Sequence, residues 1–300
     1  MQIADGWVGA GIAGLLLWWA VRRALHALIL WGLRAPRVIH DLPQTLASQG
    51  GRAVRIATAN GKHLFGWFTP VPGRCAAAVV VMHGWGANAA MMQGCIAPLV
   101  QAGYAVLLVD ARCHGLSDSE PFASLPRFAQ DIDAAVDWMA GQPEVQAGAL
   151  ALIGHSVGAG AALLCASRRT DIGGVISISA FAHPATVMRL YLRSHHLPYC
   201  CVGWYLFAHV QKVIGARFDD IAPLRSVARV TCPVLLVHGT QDETVPFDDA
   251  LQLQAASANP RTRLLAVPGD HDPSDALLQD AAPMIEFLQD CLAGTGRAKA

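Results

Sequence analysis

The sequence contains few charged residues and no concentrated basic segment. Only 15% of its residues are Asp, Glu, Lys or Arg, whereas typical soluble domains contain about 25%. The 22 basic and 22 acidic side chains give a formal net charge of zero. Proteins that bind nucleic acid usually carry a basic patch with interleaved aromatic residues, so this composition argues against nucleic acid as a partner. The positive mean hydropathy favours association with a membrane instead.

Charge is scarcest at the amino terminus. Residues 6–21 contain no charged side chain, and Asp5 is the only one in the first 21 residues. A helix formed by the first 21 residues would be roughly 31 Å long, which is close to the thickness of a bilayer core. The pairs Trp18-Trp19 and Arg22-Arg23 follow each other, as expected at a membrane interface. The sequence therefore predicts a single-pass membrane anchor within residues 1–35, in which a second apolar stretch, Ala24–Leu33, forms an interfacial helix.

The charges that flank this segment predict its orientation. No Lys or Arg precedes it, whereas Arg22, Arg23, Arg34 and Arg37 follow it closely. By the positive-inside rule, the carboxyl-terminal side lies in the cytoplasm. A cleaved secretory signal is the alternative interpretation, but the segment lacks both a basic start and a small-x-small cleavage site. We therefore expect the remainder of the chain to be cytoplasmic.

Small residues follow one face of the anchor. Gly6, Ala10 and Gly14 recur every four residues, a spacing that allows two helices to pack closely in lipid. The sequence thus allows a homodimer through the anchor. The alternative is that these residues have no partner, because small residues are common in membrane helices.

The cysteines and acidic residues show no pattern typical of a metal or redox site. Eight cysteines are present, and Cys200 and Cys201 are adjacent rather than arranged as C-x-x-C. Asp270 and Asp272 flank His271, but the sequence supplies no further ligands for a metal. We expect reduced thiols, no metal and no cofactor.

A short motif predicts a serine nucleophile. The apolar run Ala149–Ile153 precedes Gly154-His155-Ser156-Val157-Gly158, which is followed by a stretch of small residues. This order predicts a strand, a sharp turn and a helix. At such a turn the hydroxyl of Ser156 is exposed, while the flanking glycines let neighbouring backbone pass closely.

Two further strand ends carry the groups that a serine nucleophile requires. The run Val234–Val237 leads into a loop that contains Asp242 and Glu243. The run Arg263–Val267 is followed by His271. A serine hydroxyl needs a base in hydrogen-bond contact and a third group that orients that base. We predict His271 as the base and Asp242 as the acid, with Glu243 as the alternative acid.

These motifs resemble those of the α/β-hydrolase superfamily, whose triad residues occur in the order Ser, Asp or Glu, and His. The apolar run Ala77–Met82 ends in His83-Gly84-Trp85-Gly86, which is similar to the oxyanion loop of that family. The resemblance implies that the backbone N–H groups of Trp85 and Val157 bind the oxyanion. It also implies that Asp242 rather than Glu243 is the acid.

A fourth motif extends the resemblance, which covers residues 50–293. Residues 110–117 are similar to the family's D-x-R-G-H-G-x-S loop, except that Cys113 replaces a glycine and so places the local turn conformation in question. Within the superfamily, the chain most resembles the acylglycerol lipases and the serine-aminopeptidase-like hydrolases. Dehalogenase chemistry is disfavoured because Ser156 occupies the position where that reaction needs a carboxylate.

The remaining pattern predicts an α/β fold with a mainly parallel sheet and helices on both faces. Residues 52–57 and 63–68 are strand candidates joined by Asn60-Gly61, a strong hairpin signal. Further strands alternate with helical patterns, which is typical of this class. Residues 181–228 interrupt the alternation and hold three of the four tyrosines, so they predict a helical cap. The helical patterns outside the cap cover residues 89–101, 127–139, 158–167, 247–256 and 277–292.

The function predicted from these observations is that of a serine hydrolase that cleaves lipophilic carboxylic esters through an acyl-enzyme. Amide hydrolysis or acyl transfer on the same triad is the alternative, and a scaffold without catalytic activity is a third. His83 and His114 are expected to orient backbone rather than to transfer protons. The side chain of His155 is expected to point away from the serine.

Overall fold

The computed structural model of the chain describes residues 2–42, 44, 50–194, 196, 199–272 and 280–292. Eight strands form a single sheet in this part of the chain. They are β1 (Arg52–Thr58), β2 (Lys62–Thr69), β3 (Ala76–Met82), β4 (Ala105–Val109), β5 (Val145–His155), β6 (Gly174–Ile178), β7 (Val234–Gly239) and β8 (Thr262–Val267).

The helices precede, separate and follow these strands. In chain order they are α1 (Gln2–Gly32), α2 (Ile96–Gln101), α3 (Leu125–Ala140), α4 (Val157–Ala166), α5 (Pro184–Ser194), α6 (Trp204–Ile214), α7 (Phe218–Ile221), α8 (Pro223–Val227), α9 (Phe247–Ala256) and α10 (Ala282–Leu292). Short 3₁₀ helices cover Ala59–Gly61 and Ala89–Cys95, and a π-helical turn covers Tyr199–Gly203.

The sheet order is β1-β2-β4-β3-β5-β6-β7-β8. The pairs β1/β2 and β2/β4 are antiparallel, and all other neighbours are parallel. The predicted mainly parallel sheet is therefore confirmed. Strands β3, β4, β6 and β7 and residues 149–154 of β5 are almost entirely buried, which explains their continuous runs of mainly apolar residues rather than an alternating pattern.

The hairpin between β1 and β2 forms where the sequence predicts it. Asn60 and Gly61 both have positive φ, 61° and 65°. Two consecutive left-handed residues match the right-handed twist of the strands, and Asn and Gly adopt this conformation most readily. The hairpin supplies the antiparallel edge of the sheet.

The helical patterns between the strands also form helices. Residues 89–101 form a 3₁₀ helix followed by α2, and the other predicted helices begin and end within a few residues of α3, α4 and α9. The last pattern is described only from residue 280 onward, and residues 277–279 lie outside the described part of the chain.

The amino-terminal segment is helical, as the sequence predicts. The anchor segment and the stretch 24–33 form one continuous helix, α1, of 31 residues. Arg22, Arg23, Ala24 and Leu25 are all good helix formers, so nothing in the sequence ends the helix before Gly32. Residues Ile12–Gly32 are long and apolar enough to cross a membrane.

Helix α1 has two parts with different surroundings. Its residues 12–22 are all exposed, whereas Ile29 is buried and the following Leu33 packs against the core. The later part of α1 contacts α6. The surroundings of Gly6 and Ala10, two members of the predicted dimer face, lie outside what the structure describes, so the homodimer stays a prediction.

Candidate active site

Ser156 lies at a strained turn between β5 and α4. Its backbone has φ 54° and ψ −116°, a combination that non-glycine residues rarely adopt and that costs on the order of 1–3 kcal/mol. Its N–H donates to the carbonyl oxygen of Ile178 at 2.8 Å, which fixes the turn against β6. The strand, sharp turn and helix predicted from the motif are all present.

The two glycines of the motif are required by close backbone contacts. A Cβ atom on Gly158 would lie 2.3 Å from the carbonyl oxygen of His83. A Cβ atom on Gly154 would lie 2.3 Å from the carbonyl oxygen of Gly158. Both distances are far below van der Waals contact, so any side chain here would displace α4 from the sheet and move Ser156.

The structure brings together the three residues predicted as a triad. The Nε2 atom of His271 lies 3.0 Å from the Oγ atom of Ser156, and its Nδ1 atom lies 2.8 Å from Oδ2 of Asp242. The carboxylate accepts from the Nδ1–H group, which leaves Nε2 unprotonated and able to accept from the serine hydroxyl. This is the hydrogen-bond order that base-assisted attack by a serine requires.

Asp242 is held in place by more than the histidine. Its side chain is fully buried, and its Oδ1 atom accepts from the N–H groups of Thr244 at 2.9 Å and Val245 at 2.7 Å. Glu243, the alternative acid, is exposed to solvent, and no contact of His271 in the described structure involves it. The geometry therefore favours Asp242.

Two backbone N–H groups near Ser156 are free in the described part of the chain. They belong to Val157, the first residue of α4, and to Trp85, in the loop that follows β3. No described residue accepts a hydrogen bond from either group. Gly84 brings this loop against the elbow, because a Cβ atom there would lie only 3.1 Å from Cβ of Ser156.

Buried histidines orient the backbone of these loops. The Nδ1–H group of His83 donates to the carbonyl oxygen of Gly84 at 2.7 Å, and its Nε2 atom accepts from the N–H of Ala111 at 3.0 Å. His114 accepts in the same way from the N–H of Gly86 at 3.1 Å. Burial lowers the pKa of His83 to about 4 and also lowers the pKa of His114. Both rings are thus neutral near pH 7 and position the loop, as predicted.

His155 has a role that the sequence did not indicate. Its Nε2–H group donates to the backbone carbonyl oxygen of His271 at 2.9 Å. Burial, together with the nearby charge of His271, lowers the pKa of His155, so the ring is neutral. The ring lies beside that of His271, with the two centroids 5.2 Å apart, and it contacts the loop of the base. Adjacency to the serine was the only signal in the sequence.

Asp110 organises the loop after β4. Its carboxylate accepts from the N–H groups of Ala89 at 2.6 Å and Leu116 at 2.7 Å, and it lies 2.8 Å from Nε2 of His40. Cys113 has φ 71°, so it adopts the left-handed conformation that the glycine of the related motif adopts readily. The departure from the motif therefore leaves the turn intact.

A strap of residues 34–42 connects α1 to these loops. Arg37 donates to the carbonyl oxygen of Gly115 at 2.9 Å and also to that of Ser117. The carbonyl oxygen of Val38 accepts from the side chain of Asn88 at 3.1 Å. The strap is thus bound to the loop after β4 and to the segment after the oxyanion loop.

Comparisons with known proteins agree with this fold. A family model described as serine aminopeptidase, S33, matches residues 73–211. The uncharacterized protein Rv2307c of Mycobacterium tuberculosis is 30% identical over 248 residues, which cover 82% of this chain and 80% of that protein. The chain therefore belongs to the α/β-hydrolase superfamily and is, by family, a hydrolase.

Solved structures show the same fold. The esterase Pf2001 of Pyrococcus furiosus superposes with a TM-score of 0.71 at 22% identity, over 87% of this chain and 98% of that one. Est1E of Butyrivibrio proteoclasticus, solved with ferulic acid bound, superposes with a TM-score of 0.63 at 22% identity, over 80% of this chain and 100% of that one. At these identities the likeness concerns the fold.

Proposed function

We propose that this protein is a membrane-anchored serine hydrolase that cleaves lipophilic carboxylic esters through an acyl-enzyme. The observation that carries the proposal is the continuous hydrogen-bond chain from Ser156 through His271 to Asp242. Each of the three residues comes from a different strand end. A chain of this kind requires three separate loops to converge, which a purely structural role would not need.

In the proposed mechanism, the Oγ atom of Ser156 attacks the ester carbonyl while Nε2 of His271 takes its proton. Asp242 holds the imidazole in the required tautomer and stabilises the imidazolium. The N–H groups of Trp85 and Val157 stabilise the negative oxygen of the tetrahedral intermediate. Collapse of the intermediate breaks the ester bond, and His271 returns the proton to the departing alcohol.

The second half of the reaction uses the same groups. Water enters, His271 takes one of its protons, and the oxygen attacks the acyl-enzyme carbonyl. The second tetrahedral intermediate releases the carboxylic acid, and Ser156 regains its proton from His271. The strained turn at Ser156 keeps the hydroxyl at a fixed position in both halves, so little reorganisation is needed.

The proposed preference for lipophilic substrates is supported by exposed apolar surface on the segment between β6 and β7 and on α1. Large aromatic side chains of the segment between β6 and β7 are exposed, with Tyr191 at 60%, Tyr199 at 42% and Trp204 at 69%. Helix α1 exposes a continuous apolar surface over residues 12–21. We propose that the part of α1 before Arg22 crosses the membrane, with its amino terminus outside the cytoplasm, because a span over Ile12–Gly32 would place Arg22 and Arg23 inside the bilayer. The catalytic domain would then meet substrates dissolved in the bilayer.

Amide hydrolysis is the alternative, favoured by the serine-aminopeptidase description of the matching family model. The same triad would serve, with His271 donating its proton to an amine rather than an alcohol. Acyl transfer differs only in the acceptor that enters in the second half. These reactions are distinguished by their substrates and not by the triad.

The test uses purified full-length protein in a neutral detergent. We expect a fluorophosphonate reagent to label the wild type and not Ser156→Ala, whose melting temperature stays within a few degrees of wild type. A panel of p-nitrophenyl esters with acyl chains of 2 to 16 carbons is then compared with matched p-nitroanilides. Faster turnover of long esters than of short esters and anilides supports the proposal. Labelling of Ser156→Ala, or anilides turned over faster than esters, would contradict it.

A further inference from the structure

A cavity of about 450 Å³ lies between α1 and α6, away from Ser156. Its polar wall is formed by Arg22, Arg23 and Lys212 together with two histidines. The indole rings of Trp18 and Trp19 form its rim on the side of the exposed apolar stretch. The cavity therefore combines positive charge with an apolar border.

The positive charges of this cavity have no counter-ion in the described part of the chain. Arg22 lies over the ring of Trp18, 4.9 Å from its centroid, and Arg23 lies 5.6 Å from the centroid of Trp19. No carboxylate of a described residue forms an ion pair with Arg22, Arg23 or Lys212. The stacked rings restrict the two arginines but do not neutralise them. Three cations thus converge on one space without an anion.

Two histidines close the cavity between the helices. Nδ1 of His26 lies 3.0 Å from Nε2 of His209, so one nitrogen donates and the other accepts. The pKa of His209 is lowered by burial and by the nearby charges of His26, Lys212 and Arg22. The contribution of Lys212 and Arg22 to this lowering is consistent with the positive charge that lines the cavity. An anion there would offset that charge.

The position of the cavity along α1 matches the level of lipid headgroups. The exposed apolar residues 12–21 end where Arg22 and Arg23 begin. If α1 crosses the membrane as proposed above, these arginines lie at the depth of the phosphate groups, and Trp18 and Trp19 lie at the border of the acyl chains. Basic clusters at this depth attract anionic lipids, with about 1 kcal/mol for each Lys or Arg.

We infer that this cavity binds the phosphodiester of an anionic phospholipid, such as phosphatidylglycerol. The guanidinium groups of Arg22 and Arg23 and the ammonium group of Lys212 hold the phosphate oxygens, while the tryptophan rim contacts the glycerol and upper acyl chain. Because α6 belongs to the segment between β6 and β7, the lipid joins the anchor to this segment. This inference depends on the proposed membrane crossing but not on the proposed chemistry.

The test measures binding of a soluble short-chain lipid to the full-length Ser156→Ala protein in neutral detergent, so that no lipid is hydrolysed. Titration calorimetry compares dihexanoyl phosphatidylglycerol, dihexanoyl phosphatidylcholine and inorganic phosphate. We expect the phosphatidylglycerol analogue to bind best. The pair of changes Arg22→Gln and Lys212→Gln removes two charges and weakens it about thirtyfold.

Arg34→Gln provides the matched control. Arg34 is an exposed arginine just beyond the end of α1 that does not line the cavity, so its change leaves the affinity within twofold. Equal affinity for the choline lipid would overturn the selectivity for an anionic lipid. An equal loss of affinity in Arg34→Gln would overturn the cavity as the site. Inorganic phosphate that binds as tightly as the lipid would overturn the lipid as its ligand. Membrane pelleting of the wild type is measured separately, so a failed anchor is distinguished from a failed site.

Discussion

His155 and His271 are joined by a hydrogen bond from the Nε2–H group of the first to the backbone carbonyl oxygen of the second, at 2.9 Å. The residue next to the nucleophile therefore holds the loop of the general base. This contact links the turn at Ser156 to the loop after β8 independently of the triad hydrogen bonds. It gives His155 a positioning role, because its ring acts on the loop of His271.

We expect His155→Phe to lower kcat about tenfold with little change in KM, because a loosened base loop misplaces Nε2 of His271. The side-chain amide of His155→Gln can still donate to the same carbonyl oxygen, so this variant should retain most of the activity. Steady-state kinetics on one soluble ester measure both constants. A His155→Phe enzyme with wild-type kcat, or a Gln variant as slow as the Phe variant, would argue against positioning.

The choice of triad acid leads to a second prediction. Asp242→Asn should lower kcat by about 10⁴-fold, since an amide at this position favours the wrong tautomer of His271. Glu243→Gln, a matched loss of one charge from the same loop, should change kcat less than threefold. Both variants are measured on the same activated ester, with circular dichroism as the check on folding. If kcat fell by a similar factor in both variants, the negative charge of the loop would be the cause, and Asp242 would have no specific role.

The buried ring of His83 predicts a pH dependence of stability. Its pKa is about 4 in the folded chain and about 6.5 when unfolded. Between these values the unfolded chain binds a proton that the folded chain does not. The free energy of unfolding therefore falls as the pH decreases from 6.5 towards 4, by at most about 3 kcal/mol from this group.

Urea unfolding at pH 7 and pH 5 tests this prediction. His83→Gln has no titrating group at this position and can still donate to and accept from the backbone. The loss of stability between the two pH values should therefore be smaller in this variant than in wild type, and the difference isolates His83 from other titrating groups. If both proteins lose the same stability, His83 is not the source.

Truncation tests the anchor. Removal of residues 1–21 should release the protein from carbonate-washed membranes while its melting temperature and its turnover of short soluble esters stay unchanged, because residues 12–21 are exposed. Removal of residues 1–33 also deletes Ile29 and Leu33, which pack in the core. That longer truncation should cost about 2 kcal/mol or more of stability. A 1–21 truncation that still pellets with membranes would place the membrane contact elsewhere.

Much of the sheet and the placement of the triad could be predicted from the sequence, because strands and their polar ends are local patterns. Ser156, Asp242 and His271 each follow an apolar run, and parallel strands bring such ends together. The contacts that were missed join residues far apart in the chain, such as His26 with His209 or His40 with Asp110. Periodic patterns in the sequence do not indicate contacts between side chains that lie so far apart in the chain.

The strap of residues 34–42 has a consequence for how a membrane-bound form would work. A catalytic domain on a flexible tether swings freely and meets the bilayer at many angles. Here Arg37 and His40 bind the domain directly, so the domain turns only as the anchor turns. In such a form the fold would set the height of Ser156 above the lipid, and the enzyme would find its substrate by lateral diffusion in the bilayer, at a rate that depends on surface concentration rather than bulk concentration.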